Sequence, residues 1–232
     1  MLPWQTIESV KTREGVVELR RRGDKDFLIT IAGRVLMTSS AHRSEDLLAN
    51  LACDALAGKA KPKVLLGGLG MGFTLRAALD HLPNGAQVTV VDLNPQLVEW
   101  NRGPLGFLTG RAVEDPRVKV VIADVAQVIV RTPAGHFDAI VIDLYEGPHA
   151  ATNRGRDPLY GPEAIARTGA ALRPGGIFAV WSEERDRAFE DRLAAAAFDF
   201  RFHKCGKGGR IHVVYLASTA LAPGPTKRQR PA

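Results

Sequence analysis

A glycine-rich turn between a strand and a helix, with an acid ending the next strand, constrains this chain more than any other feature. The apolar run Val64-Leu65-Leu66 leads into Gly67-Gly68-Leu69-Gly70-Met71-Gly72. Phe73 to Leu82 then places Leu75, Ala78, Leu79 and Leu82 on one helical face. Glycines in such a turn let the backbone approach a ligand closely, and the following helix presents free N–H donors at its N-terminus. Gln87 to Asp92 reads as the next strand, and Asp92 stands 20 residues after Gly72. A carboxylate there can bridge the two ribose hydroxyls of a nucleoside.

The alternation continues along the chain. Pro95 opens a helix to Trp100 after Asn94. Strands are expected at Arg117 to Asp124, Phe137 to Leu144 and Ile177 to Ser182, with helices over Val125 to Val130, Gly161 to Leu172 and Arg187 to Ala197. Arg201 to Lys204 and Ile211 to Ala217 close as a hairpin around Gly206-Lys207-Gly208-Gly209. This order predicts an α/β fold: a doubly wound, mostly parallel sheet with an antiparallel C-terminal edge. Upstream, Val16 to Arg22, Phe27 to Gly33 and Arg34 to Ser40 read as a small antiparallel β-meander. Ser44 to Ala57 is the first helix, with Glu45 and Asp46 in its first turn. The expected division is an N-terminal antiparallel β region over 1–43, a Rossmann-like nucleoside-binding catalytic domain over 44–218 and a disordered basic tail over 219–232.

Composition removes several classes. A chain of 232 residues with 45% hydrophobic side chains can bury one ordinary core. The net charge of +6 and pI near 9.6 owe part of their value to Lys227, Arg228 and Arg230 at the end, so nucleic acid is not the expected partner. Cys53 and Cys205 are far apart, which argues against a disulfide-stapled secreted domain and against a cysteine zinc site; no metal is expected. No apolar run approaches the roughly 20 residues that cross a bilayer. The opening MLPWQTIESVKTREG lacks the pattern of a signal peptide. A cytoplasmic protein without a membrane partner is the expectation.

The expected strand ends gather acids. Asp124 can accept a hydrogen bond from an adenine amino group, and it reads equally well as the N-cap of the helix that follows. Asp143 ends the next strand, followed by Leu144-Tyr145-Glu146-Gly147-Pro148. Asp92, Asp124, Asp143 and Glu146 thus fall at the carboxyl edge, where open α/β sheets bind ligands. Such an edge suits a nucleoside of cationic character and a cationic co-substrate. Asp143, Glu146 and Tyr145 between them are the candidate catalytic residues, with His149 the one histidine to test. The stretch Tyr145 to Tyr160, which carries Arg154 and Arg156, is long for an α/β connection and can cover the site as a lid. Trp4, Trp100 and Trp181 read as packing residues.

These residues resemble the spermidine synthase (polyamine aminopropyltransferase) family, which shares the fold of the S-adenosylmethionine-dependent methyltransferases. The likeness runs from about Val16 to Ala217. It is carried by VLLGGLGMGFTLRAAL (64–79), VTVVDLNPQLVEW (88–100), RVKVVIAD (117–124), FDAIVIDLYEGP (137–148) and LYGPEAIARTGAALRPGGIFAVWSE (159–183). It implies a Rossmann-like methyltransferase fold. It also implies transfer of an aminopropyl group from decarboxylated S-adenosylmethionine to a small-molecule amine in polyamine biosynthesis, without metal, by a homodimer. Gly68, Gly70 and Gly72 then match the loop beside the methionine-derived part of the donor. Asp92 matches the ribose ligand, Asp124 the adenine contact, and Asp143 the base that deprotonates the amine. Glu146 falls on the acid for the distal ammonium.

Four departures stand out. Met71 replaces the acid of the glycine loop, Leu69 replaces one of its glycines, and Ser44-Glu45 replaces an amine-binding Tyr-His or Tyr-Gln pair. The family's glutamine at the end of the amino-terminal strand is also missing, with Leu36 and Met37 nearby. A methyltransferase using intact S-adenosylmethionine is the alternative, since losing an acid at Met71 removes repulsion against the donor's carboxylate. A non-catalytic nucleoside-binding protein is the third reading.

Overall fold

The structure, a computed structural model, describes residues 2–12, 15–152, 155–206 and 211–220. The chain opens with four antiparallel strands in sequence order: β1 (Gln5–Thr12), β2 (Gly15–Arg22), β3 (Asp26–Ile31) and β4 (Arg34–Thr38). β2 has the period-two burial of a one-sided strand, with Val17 and Leu19 inward. Together with Phe27 and Ile29 they pack on Met71, Phe73, Leu97 and Trp100 of the following unit. β1 is an addition to the three strands legible beforehand. Its side chains are largely exposed, so no apolar pattern marks it.

The second sheet is built from β5 (Lys63–Gly67), β6 (Gln87–Asp92), β7 (Val118–Ile122), β8 (Phe137–Ile142), β9 (Leu172–Ser182), β10 (Asp199–Cys205) and β11 (His212–Ser218). Its order is β10-β11-β9-β8-β5-β6-β7. β9, β8, β5, β6 and β7 run parallel, and β11 and β10 add the antiparallel edge. Six helices connect and cover the sheet: α1 (Arg43–Asp54), α2 (Phe73–His81), α3 (Pro95–Arg102), α4 (Val125–Arg131), α5 (Pro162–Ala171) and α6 (Arg187–Ala195). β8 is buried along its whole length, the continuous apolar run expected of a strand covered on both faces.

Several helix starts are set by single side chains. Asn94 accepts a hydrogen bond from the Gln96 N–H, with Pro95 at the first helical position of α3. Asp186 accepts from the Phe189 N–H to start α6. At the amino end of the parallel strands the fully buried Asp138 meets Lys59 Nζ at 2.8 Å, Arg173 Nη1 at 2.9 Å and the Lys63 N–H at 2.8 Å. Burial pushes this carboxyl up, but these partners win and hold it below the usual range.

Two boundaries differ from expectation. β9 begins at Leu172, paired with Phe137, and its register slips before Ala139 pairs with Ile177. Pro174, Gly175 and Gly176 therefore lie within the strand rather than ahead of it. Thr219 and Ala220, expected to begin a tail, are tied to Gly176 and Gly175 by backbone hydrogen bonds of 3.0 Å. The rest of that tail, the hairpin turn at 207–210 and Arg154 lie outside the described residues. Among the described residues no helix is long and apolar enough to cross a membrane.

Candidate active site

β5 sits between β6 and β8, so successive connections leave it toward opposite sides and open a crevice at the carboxyl ends. The N-terminal sheet closes the crevice with Ile31, Arg34, Leu36 and Met37, leaving a cavity of about 810 Å³. That lies in the range of small-molecule sites, roughly 300–1,000 Å³.

The glycine loop is stitched across the crevice. The Gly68 N–H donates to the Val91 carbonyl at 2.8 Å, and the Asp143 N–H donates to the Gly67 carbonyl at 2.8 Å. Gly68 has φ +96°, and a Cβ on it would stand 2.1 Å from the Asp143 carbonyl oxygen. Only glycine allows β5 and β8 to converge this closely. Gly68 and Gly70 line the cavity. Gly72 does not; it starts α2 and packs against Asn101, whose Nδ2 donates to the Gly70 carbonyl at 2.9 Å. Met71 is fully buried, and its N–H lies 3.2 Å from Met37 Sδ. The position of the missing loop acid therefore faces the N-terminal sheet, not the cavity.

Asp92 and Asp124 both reach the cavity. Asp92 accepts the Leu69 N–H and the Asn94 N–H, each at 2.8 Å, so it also holds the glycine loop against the β6–α3 turn. Asp124 accepts the Ala126 N–H at 2.8 Å as the N-cap of α4 while remaining exposed to the cavity. Capping and lining are compatible here, because a carboxylate has lone pairs for both.

Asp143 occupies the floor where β8 ends. The Thr74 hydroxyl donates to its carboxylate. Its pKa is pushed up to about 7, first by burial, then by the charge of Glu45, against the hydrogen bond from Thr74. Glu45 lines the same cavity from the first turn of α1. Neither acid meets a described cation.

Asp143 and Glu146, expected to face one pocket together, diverge. Glu146 sits at φ +68°, with its carboxylate 3.5 Å from Arg34 Nη1 and 3.2 Å from His149 Nε2. It is not among the residues that line the cavity, whereas Arg34 is. His149 is engaged with Glu146 rather than with Asp143. Tyr145 lines the mouth and is 41% exposed.

Trp181 packs against the core as expected, and it also lines the cavity from the carboxyl end of β9, just before Ser182, with its Nε1–H buried without a partner. Trp100 also packs, 1% exposed, and donates to Glu8 Oε2 at 2.7 Å. Thr74 and Trp181 are the site residues that the motifs did not single out, whereas Glu45 stands where the family has its amine-binding pair. For Trp181 the available signal was its place at a strand's carboxyl end. Among the described residues no three His, Cys, Asp or Glu side chains gather in a form that could hold a metal ion.

A family model described as the spermine/spermidine synthase domain matches residues 43–191. The chain belongs to the spermine/spermidine synthase family. Polyamine aminopropyltransferase of Mycobacterium tuberculosis is 30% identical over 166 residues, covering 71% of this chain and 30% of that protein. Putrescine N-methyltransferase 4 of Nicotiana tabacum is 33% identical over 121 residues, covering 52% of this chain and 30% of that protein. The chain thus matches about 30% of the length of these curated relatives. The crystal structure of spermidine synthase from Thermotoga maritima superposes with a TM-score of 0.77 at 21% identity, over 95% of this chain and 75% of that one. A spermidine synthase in complex with the transition state analogue AdoDATO gives 0.76 at 20% identity, over 95% and 74%. This likeness establishes the Rossmann-like methyltransferase fold, with its mostly parallel sheet and separate antiparallel sheet.

Proposed function

We propose that this protein is an aminopropyltransferase of polyamine biosynthesis, moving an aminopropyl group from decarboxylated S-adenosylmethionine to a small-molecule amine. The observation that carries the reading is Asp143: a carboxylate at the floor of a nucleoside-sized cavity, with its pKa pushed up to about 7. A general base works best when its pKa lies near the working pH. An amine nucleophile is mostly protonated at neutral pH and must lose a proton before it attacks. Asp143 orients the ammonium and takes that proton. The nitrogen lone pair then forms a bond to the carbon beside the sulfonium. The carbon–sulfur bond breaks, its electron pair stays on sulfur, and methylthioadenosine leaves. Much of the remaining rate comes from holding the two reactants in line.

The other residues take positions consistent with this chemistry. Asp92 receives the ribose hydroxyls and Asp124 the adenine amino group. Gly68 and Gly70 let the donor's methionine-derived end pass close to the backbone, and Gly72 turns that loop into α2. Tyr145 flanks the entrance. Glu146 tethers the loop after β8 to Arg34 of the N-terminal sheet, at 3.5 Å.

Methyl transfer from intact S-adenosylmethionine to an amine is the second reading. It is favoured by relatives named putrescine N-methyltransferases. Incubation with each donor and a pool of amines, read by mass spectrometry, separates the two. Methylthioadenosine with an aminopropylated amine is the expected result. S-adenosylhomocysteine with a methylated amine overturns the first reading in favour of the second. Methylthioadenosine binding without turnover of either donor overturns both and leaves a nucleoside-binding protein.

A further inference from the structure

We propose that Glu146 competes with the donor's carboxylate for Arg34, and so sets how strongly the cavity discriminates between donors with and without that carboxylate. This rests on the S-adenosylmethionine-type donor that both transfer readings above place in the cavity. Arg34 is the one cation among the described residues of the cavity wall, which also carries Glu45, Asp92, Asp124 and Asp143. A carboxylate entering among those acids meets a favourable charge only at Arg34. Met71 is fully buried and faces the N-terminal sheet, so the glycine loop adds no charge of its own to the choice. Glu146 does not line the cavity, yet its Oε1 lies 3.5 Å from Arg34 Nη1 and draws on the guanidinium from outside.

The two backbones are fixed where they meet. Arg34 follows the turn between β3 and β4, in which Ala32 has φ +47° and Gly33 φ +79°. Those are the signs of a type I′ hairpin turn. The Ala32 N–H donates to the Val16 carbonyl at 2.9 Å, which holds the turn on β2. Glu146 has φ +68°, and its carbonyl accepts the Glu183 N–H at 3.2 Å. A Cβ on Gly147 would stand 2.3 Å from the Trp181 carbonyl oxygen, so the loop is pressed against the end of β9. Ala32 and Glu146 are thus non-glycine residues held in the left-handed region on the two sides of one contact. Such strain persists where the surrounding structure enforces it, and it gathers at ligand sites and switch points. The side chains differ. Arg34 is 71% exposed on a long stem, whereas Glu146 is 33% exposed and its Oε2 lies 3.2 Å from His149 Nε2. Glu146 is the fixed member and Arg34 the one able to turn into the cavity. An exposed ion pair is weak, so a donor carboxylate can take the guanidinium at the cost of that pair. The intact donor bears this cost and the decarboxylated donor does not.

The test uses the full chain and three unreactive ligands: methylthioadenosine, S-adenosylhomocysteine, which keeps the carboxylate, and decarboxylated S-adenosylhomocysteine. Affinities are measured by calorimetry in the wild type, Glu146→Gln, Glu146→Asp and the double variant Arg34→Gln/Glu146→Gln. The wild type should bind the decarboxylated compound more tightly than S-adenosylhomocysteine. In Glu146→Gln the affinity for S-adenosylhomocysteine should rise about threefold to fivefold, the scale of one exposed ion pair. Glu146→Asp keeps the charge and should fall between the two. The gain should vanish in the double variant, because the freed guanidinium is its source. Methylthioadenosine affinity should hold in every variant, which separates the effect from a folding defect.

No gain for S-adenosylhomocysteine in Glu146→Gln, or a gain that survives the removal of Arg34, overturns the proposal. If either result is found while methylthioadenosine binds and a donor is turned over, this proposal alone fails. If methylthioadenosine does not bind the wild type, the donor reading fails and takes this proposal with it. An Arg34-dependent gain without turnover of either donor upholds the competition and overturns the transfer reading.

Discussion

Replacing Asp143 by Asn should make the folded protein more stable at alkaline pH while abolishing turnover. The magnitude follows from the site. A carboxyl whose pKa is about 7 in the fold, against an ordinary 3.8, carries about 4 kcal/mol of penalty when ionised. Burial is the larger cause and Glu45 the smaller. The Asn oxygen can still accept the hydrogen bond from Thr74. Its amide N–H groups lack a described partner, which costs about 1–3 kcal/mol. The net gain expected at pH 8.5 is therefore about 2 kcal/mol.

The sign of the pH dependence is fixed by the same shift. Between about 4 and 7 the folded state keeps a proton that the unfolded chain releases. The stabilisation from this group is thus fully present below pH 3.8 and lost as pH rises through about 7. Urea unfolding, followed by tryptophan fluorescence at several pH values from 4.5 to 8.5, should show a steeper loss of stability in the wild type than in Asp143→Asn. The two curves should cross near pH 5, with the wild type the more stable at the acid end, where only the unpaired amide of the variant counts. Parallel curves would refute the reasoning, because they would mean an ordinarily solvated carboxylate. In the same pH series kcat/KM should rise through about 7, as a base that must be ionised requires. Asp143→Asn should lose about 10²–10⁴-fold in turnover, with methylthioadenosine affinity held within a few-fold.

Asp92→Asn removes a charged acceptor shared by the loop and, on this reading, the ribose. Calorimetry should show methylthioadenosine binding weakened by about 1–3 kcal/mol, and unchanged binding would contradict the ribose role. Gly68→Ala places a methyl 2.1 Å from the Asp143 carbonyl oxygen at a left-handed φ. It should cost at least about 1–3 kcal/mol in backbone strain alone, read as a lowered midpoint in urea, and should move the acid limb of the pH profile. Asp138→Ala leaves Lys59, Arg173 and the Lys63 N–H without their common acceptor. It should destabilise by about 1–3 kcal/mol, because Lys59 and Arg173 keep access to water, while the folded fraction keeps its methylthioadenosine affinity because Asp138 lies at the opposite edge of the sheet.

The sequence read well where one local rule decides the structure. Gly68 and Gly70 follow from a turn that needs positive φ and close backbone approach. Asp92, Asp124 and Asp143 follow from strands that end on acids in a parallel sheet. Where the outcome depends on a distant partner, the sequence was silent. β1 carries no apolar alternation, because its outer side chains face solvent. The inward turn of Met71 depends on how closely Met37 of β4 packs on the glycine loop. The divergence of Asp143 and Glu146 depends on Arg34, more than a hundred residues earlier in the chain. Spacing along a loop could place both acids near the cavity, but it could not decide which way each carboxylate turns.

The loss of the loop acid and the arrival of Glu45 have one physical explanation. Position 71 lies in an apolar interface with Phe73, Leu97 and Trp100, fully buried. An ionised side chain there would have no partner and would bear the full cost of desolvation. Met71 removes that cost, and it also removes a negative charge from the glycine loop. Glu45 restores a negative charge to the cavity from the first turn of α1, where the helix dipole favours an acid. The charge therefore reaches the substrates from the side of α1 and β8, next to Asp143, rather than from the loop after β5. With Arg34 held by Glu146, nothing cationic among the described residues of the cavity wall is left to receive a free carboxylate. A donor that still bears its methionine carboxylate would meet Glu45 and Asp143 as like charges. One that has lost it would meet them as partners for its ammonium. On the proposed transfer, the same two acids weight the cavity toward the decarboxylated donor, despite the methionine in the loop.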